Sequence, residues 1–228
     1  MLEAKIDSIM LNRVRENISK TDTDIIPALM DTTHLPGPLC VNKLSKYGAI
    51  NQLTSQSGYS FQHANSVIGR SEIIMKILHN KGTICLFTAA WIWIGGDFPE
   101  NIDIIAYSNY RRKTHDRSIR MFHRKISAKE CNTVGKLHIT TPIRTVCDIA
   151  FTPSESPQEE LFRQQTVHIL MEQYGIRFYD CLHIFQENPY FPGASMAKIW
   201  LKKVMQDDYE INTKKQVLGV KICRKHKI

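Results

Sequence analysis

The chain has 228 residues, carries 30 lysines and arginines against 22 acids for a net charge of +8, and is 43% hydrophobic. That apolar share can fill the core of one large domain or two small ones, and it argues against disorder over most of the length. The longest apolar run, 84–96, falls short of the roughly 20 residues a membrane helix needs, and Asp97 follows it at once. Neither an integral membrane protein nor an export leader is expected, because the N-terminus mixes charges through its apolar positions.

Six cysteines, Cys40, Cys85, Cys131, Cys147, Cys181 and Cys223, stand singly with no CxxC pair. Free thiols in a reducing, cytoplasmic setting are therefore expected, with no metal site and no cofactor. Two close Cys/His pairs, Cys181 with His183 and Cys223 with His226, lie too far apart in sequence to suggest a four-ligand centre.

The positive charge is uneven. Residues 109–145 hold +8, whereas 1–70 hold +1, 71–108 hold −2, 146–210 hold −5 and 211–228 hold +6. A block this basic reads either as a solvated face or as a surface for a polyanion.

In chain order, apolar residues of 3–18 recur at helical spacing, and Thr23 or Asp24 can cap a short second helix through Met30. Leu35-Pro36-Gly37-Pro38 forces a turn. Pro38 then suits the first turn of a third helix, whose apolar side is Leu39, Val41 and Leu44 and whose other side carries Asn42, Lys43, Ser45 and Lys46. Two extended pieces, 49–53 and 59–61, flank a polar turn. Helix, turn, helix, hairpin is the order of a winged helix-turn-helix, in which the second helix of the motif enters the major groove, and small three-helix packing domains share it. From 32 to 71 there is no acid.

A helix capped by Ser71 is expected to end near 80, and another starts in the run 88–93, which Gly95-Gly96 stops. Strands are expected over 101–107, 119–123 and 135–140, with Arg111-Arg112-Lys113 as the turn between the first two. Thr141 and Pro142 open a helix to Ala150, in which Arg144 and Asp148 stand i to i+4 and can pair. Ser156 to Glu159 has the spacing of a capping box for a helix to Tyr174. Short helices at 180–186 and 195–205 follow, then a basic tail. The expected class is α+β.

Phe87 to Trp93 (FTAAWIW), Ile102 to Ile105, Arg111-Arg112-Lys113, Ile119 to Arg124 (IRMFHR) and Ile139 to Ala150 (ITTPIRTVCDIA) follow one another in an order that resembles the AbiEi family of type IV antitoxins. The resemblance covers roughly 84–150, and the T-P-x-R-T-x-x-D-x-A segment is its most specific part. It implies an N-terminal winged helix-turn-helix domain over 1–70, an antitoxin-like domain with a small sheet and C-terminal helices over 71–210, and a basic tail over 211–228. It implies a cytoplasmic transcriptional autoregulator that binds double-stranded operator DNA and opposes a nucleotidyltransferase toxin. The stretch 32–60 departs from the family's usual basic recognition helix and wing.

Asn42, Lys43 and Lys46 are the candidates for groove and phosphate contact, and Arg111, Arg112 and Lys113 for neutralising backbone charge; ordinary surface lysines remain the alternative. Arg144 and Asp148 are expected as a structural pair, and no residue is assigned a catalytic role. A nuclease would need an acid and a lysine in a close E-x-K pairing beside a metal, and no P-loop, GxSxG or GxGxxG is present. Two other readings stay open: an orphan regulator without a toxin, and an antitoxin acting through protein or RNA contacts alone.

Overall fold

A computed structural model describes residues 27–31, 38–78, 82–106 and 113–217. The helix expected over 3–18, most of the short one after Asp24, and the last residues of the basic tail lie outside the described residues. In chain order the elements are β1 (Leu29–Asp31), α1 (Pro38–Lys46), β2 (Ile50–Thr54), β3 (Ser57–Ser60), α2 (Phe61–Ala64), α3 (Val67–Ile77), β4 (Thr83–Ile84) and α4 (Leu86–Ile94). They continue as β5 (Asn101–Ile105), β6 (Lys113–Thr114), β7 (Arg117–Phe122), a 3-10 turn (Ala128–Glu130), β8 (Cys131–Val134) and β9 (Leu137–Thr140). Four helices close the chain: α5 (Pro142–Phe151), α6 (Pro157–Tyr174), α7 (Phe178–Glu187) and α8 (Ala194–Val217). The class is mixed α+β.

Two compact units form. One comprises Met1–Asn80, Arg112–Ser118 and Val134–Leu137; the other comprises Lys81–Arg111, Ile119–Thr133 and His138–Ile228. The boundary expected at residue 70 falls inside α3, which stays whole within the first unit.

In the first unit a three-stranded antiparallel sheet runs in the order β1-β3-β2. Leu29 and Met30, expected at the end of a helix, instead join Asp31 in pairing with Tyr59, Gly58 and Ser57, and Met30 is buried against Val41, Ile50 and Leu44. Strand pairing and burial outweigh the capping signal at Thr23 and Asp24, since local propensity is a weak prior. Helix α1 ends in a Schellman turn: Ala49 N donates to Leu44 O and Gly48 N to Ser45 O, with Gly48 at φ +70. Helix α3 starts earlier than expected. Ser66, not Ser71, is its cap, accepting from Gly69 N at 3.0 Å, while the Ser71 hydroxyl is buried and donates to Ile68 O.

The hairpin expected to turn at Arg111-Arg112-Lys113 turns later. Arg111 and Arg112 lie outside the described residues; Lys113 begins β6, which pairs with the start of β7 across His115 and Asp116. Both turn residues have positive φ, 49 and 59, the requirement of a tight type I′ hairpin whose twist matches its strands. His115 Nδ1 also shares a hydrogen bond with Ser57 Oγ at 2.9 Å.

In the second unit the strand order is β7-β5-β4-β9-β8, with β4 antiparallel to β5 and parallel to β9. Ile84, Ile102, Ile104 and Ile139 bury the sheet's inner side. Helix α5 is the hub. It packs on α4, α6, α7 and α8, and every residue from Arg144 to Phe151 is buried. Thr141 caps it by accepting from Arg144 N at 3.2 Å, and Pro142 stands where a missing amide costs nothing. Ser156 caps α6 by accepting from Glu159 N, although the Glu159 carboxylate reaches back to Glu155 N instead of Ser156 N. Helix α8 runs on to Val217, so the segment expected as a tail from 211 begins as helix.

Candidate functional site

Helix α1 owes its two faces to its own sequence. Val41 is fully buried and Leu44 packs beside it, so Asn42, Lys43 and Lys46, together with Leu39 and Tyr47, are turned to solvent. Lys43 and Lys46 stand in its last turn, where ammonium groups also suit the helix dipole. The helix leads through Gly48 directly into the β2–β3 hairpin, and the Gln52 amide donates to Asn42 Oδ1 at 3.2 Å. Three of the six candidate contact residues thus share one exposed helix face. At the hairpin's turn, Thr54 Oγ1 and Ser57 Oγ lie 2.8 Å apart and Gln56 N donates to Thr54 Oγ1. The turn is thereby fixed without glycine at its tip.

Lys113 is exposed on β6. Of the rest of the basic block, three arginines are committed internally. Arg120 Nε donates to Asp103 Oδ1 at 2.7 Å, Arg124 Nη1 to Asp148 Oδ1 at 2.8 Å, and Arg144 binds two carboxylates, Glu130 Oε1 through Nη1 at 2.7 Å and Asp148 Oδ1 through Nε at 3.1 Å. Among the block's described residues, Lys113, Lys125, Lys129 and Lys136 are exposed and Arg117 is half-buried.

The Arg144–Asp148 pair expected from spacing is present and lies at the centre of that network, both residues wholly buried. Ser127 N also donates to Glu130 Oε2 at 2.7 Å, so Glu130 joins the 3-10 turn to α5. Burial alone would push the Glu130 carboxyl up, but the Ser127 amide and the Arg144 guanidinium outweigh it and hold the group below its ordinary value. Burial prevails at Asp148 and Asp103, which are raised despite their guanidinium partners. Each has an Oδ2 with no hydrogen-bond partner among the described residues. These are structural charges. They hold α5 and the sheet together, and sequence spacing missed Glu130, Arg124 and the Arg120–Asp103 pair because their partners come from distant segments.

A fourth arginine, Arg163, caps the end of α5: Nε donates to Ile149 O, Nη2 to Ala150 O and Nη1 to Glu160, and its guanidinium lies 3.7 Å over the Trp200 ring. Cys85, Cys147 and Cys181 are buried, and Cys40 and Cys131 are partly exposed, all as free thiols. Among the described residues no three histidine, cysteine or acidic side chains converge to hold a metal ion, and no helix is long and apolar enough to cross a membrane. Comparison with protein-family models, curated proteins and solved structures finds no match to the chain.

Proposed function

We propose that the chain is a DNA-binding transcriptional regulator acting on its own operon, with the first unit serving as a winged helix-turn-helix. The observation that carries this reading is the outward face of α1, where Asn42, Lys43 and Lys46 stand together on a helix that feeds straight into a hairpin. No acid occurs between residues 32 and 71 to oppose a phosphate backbone. In this reading α1 lies in the major groove, Asn42 offers a side-chain amide to a base edge, and Lys43 and Lys46 neutralise phosphates. Lys113 adds charge from β6, as would Arg111 and Arg112.

The role as antitoxin against a nucleotidyltransferase belongs to the same proposal and rests on the resemblance of the segment 84–150. An open reading frame for such an enzyme beside this gene supports it; without one, an orphan regulator is the better account.

Mobility shift on the DNA upstream of the gene tests the reading. Lys43→Glu with Lys46→Glu is expected to weaken binding at least tenfold, and the wild-type affinity to fall steeply with salt, by a log–log slope of about −0.9 per neutralised phosphate. Binding that ignores both the substitutions and the salt would defeat the proposal. If the double variant still neutralises the toxin although no DNA shift occurs in either protein, an antitoxin working through protein or RNA contacts replaces it.

A further inference from the structure

The second unit contains a cleft of about 820 Å³ between the end of β7, the turn after α5, and the start of α8. Its volume falls within the range of small-molecule sites. Phe122, Phe151, Phe191 and Trp200 are the aromatic residues of its wall, and Arg124 and Arg163 are its cations. The two arginines differ in what they have left to offer. All three nitrogens of Arg163 are bonded, to two carbonyls and Glu160, so it is wall.

Arg124 is only 7% exposed, and it lies 4.8 Å over the Phe122 ring and 4.6 Å over the Phe191 ring, with Nη1 tied to Asp148. No acceptor among the described residues takes its Nε or Nη2. Those two nitrogens form the side-on edge of the guanidinium, two parallel N–H groups spaced to meet both oxygens of one carboxylate. Two rings and an aspartate fix that edge in advance, so little side-chain freedom is lost on binding. The same aromatic walls, in which Phe151 and Phe191 already stand 4.8 Å apart, favour a flat ring as the body of the ligand.

We propose that this cleft is a binding site for a small aryl carboxylate, with the carboxylate on the Nε–Nη2 edge of Arg124 and the ring among the four aromatic side chains. The inference stands apart from the DNA-binding reading, and its test contains no DNA.

Calorimetric titration of the full chain uses 2-naphthoate as the probe, with naphthalene-2-methanol as its uncharged counterpart and octanoate as a carboxylate without a ring. One-to-one binding of 2-naphthoate is expected, at least tenfold tighter than either comparison compound. Arg124→Lys keeps a cation opposite Asp148 but loses the paired N–H edge; it is expected to lose at least tenfold in affinity for 2-naphthoate while leaving naphthalene-2-methanol unchanged. Met196→Glu provides a second variant at a position that is 69% exposed on the cleft wall, where folding tolerates a charge. It places a carboxylate near the ligand's own and should likewise weaken 2-naphthoate several-fold. No heat with 2-naphthoate, equal affinity for the alcohol, equal affinity for octanoate, or wild-type affinity in both variants would each overturn the proposal.

Discussion

Arg144 touches two carboxylates from different segments while exposing nothing to water, so removing it leaves Glu130 without a cation in a low-dielectric interior and Asp148 with Arg124 alone. Arg144→Met is expected to cost about 3–5 kcal/mol of stability, read from urea unfolding, because the loss is that of an uncompensated buried charge. Glu160 is a milder case with a pH signature. Burial pushes its carboxyl up, but hydrogen bonds from Ser154, Trp200 and Gln164 and the charge of Arg163 outweigh it and bring it from 4.5 down to about 2. A carboxylate depressed in the folded state stabilises fully above its unfolded value, and the contribution disappears as pH falls from about 4.5 towards 2. Glu160→Gln should therefore lower stability by about 2 kcal/mol at pH 7, with the gap to wild type closing over that acid range in chemical unfolding curves. Burial and the nearby Asp148 and Asp103 raise the Cys85 thiol well above its ordinary value, so it stays protonated at neutral pH. Iodoacetamide should label Cys40 in the folded protein and spare Cys85 until denaturant is added, as peptide mass mapping would reveal. At this scale only i to i+4 pairs were legible: Arg144 with Asp148 stood one helical turn apart, whereas Arg124 and Glu130 entered from loops whose course no local pattern encodes.

The helices most legible as elements were those with a cap and a stop written in adjacent residues, such as α5 behind Thr141-Pro142 and α6 between Ser156 and Gly175. Where two serines competed, as Ser66 and Ser71 did for α3, the cap depended on which hydroxyl the fold buried. Strand β1 was illegible for a different reason: three residues carry too little pattern, and its partner lies almost thirty residues away in β3. The β6–β7 turn was displaced because His115-Asp116 lacks the Asn-Gly signature of a two-residue hairpin, and the more conspicuous arginines stood nearby. That irregularity is open to test. Asp116 holds φ 59 without being glycine, so Asp116→Gly should relieve a left-handed conformation and stabilise by about 0.5–1 kcal/mol, seen as a rise in Tm. An unchanged or lower Tm would mean that the Asp116 side chain is itself holding the turn.

For the molecule as a whole, the charge of +8 describes sequence better than surface. Arg120, Arg124 and Arg144 each pair with an acid of the second unit, Arg120 with 41% of its side chain still open to water, so less of the block's positive charge is uncommitted than its sequence count suggests. If α1 is the DNA-contacting element, Lys125→Gln with Lys129→Gln should leave the salt slope of DNA binding nearly unchanged, whereas each phosphate-contacting lysine removed from α1 should lower its magnitude by about 0.9. A slope that responds to the 125 and 129 pair instead would move the interface to the other unit. The α+β class was readable from the order of helical and extended patterns, but the division into units was not, because it follows contacts between residues far apart in sequence. The first unit counts Arg112–Ser118 and Val134–Leu137 among its own, two returns of the chain after it has already entered the second. The consequence is one of dissection. No single cut releases the first unit intact: a fragment ending at residue 80 loses the His115 partner of Ser57 and the Thr114 hydroxyl that donates to Ile77 O, so the first unit has to be studied in the uncut chain.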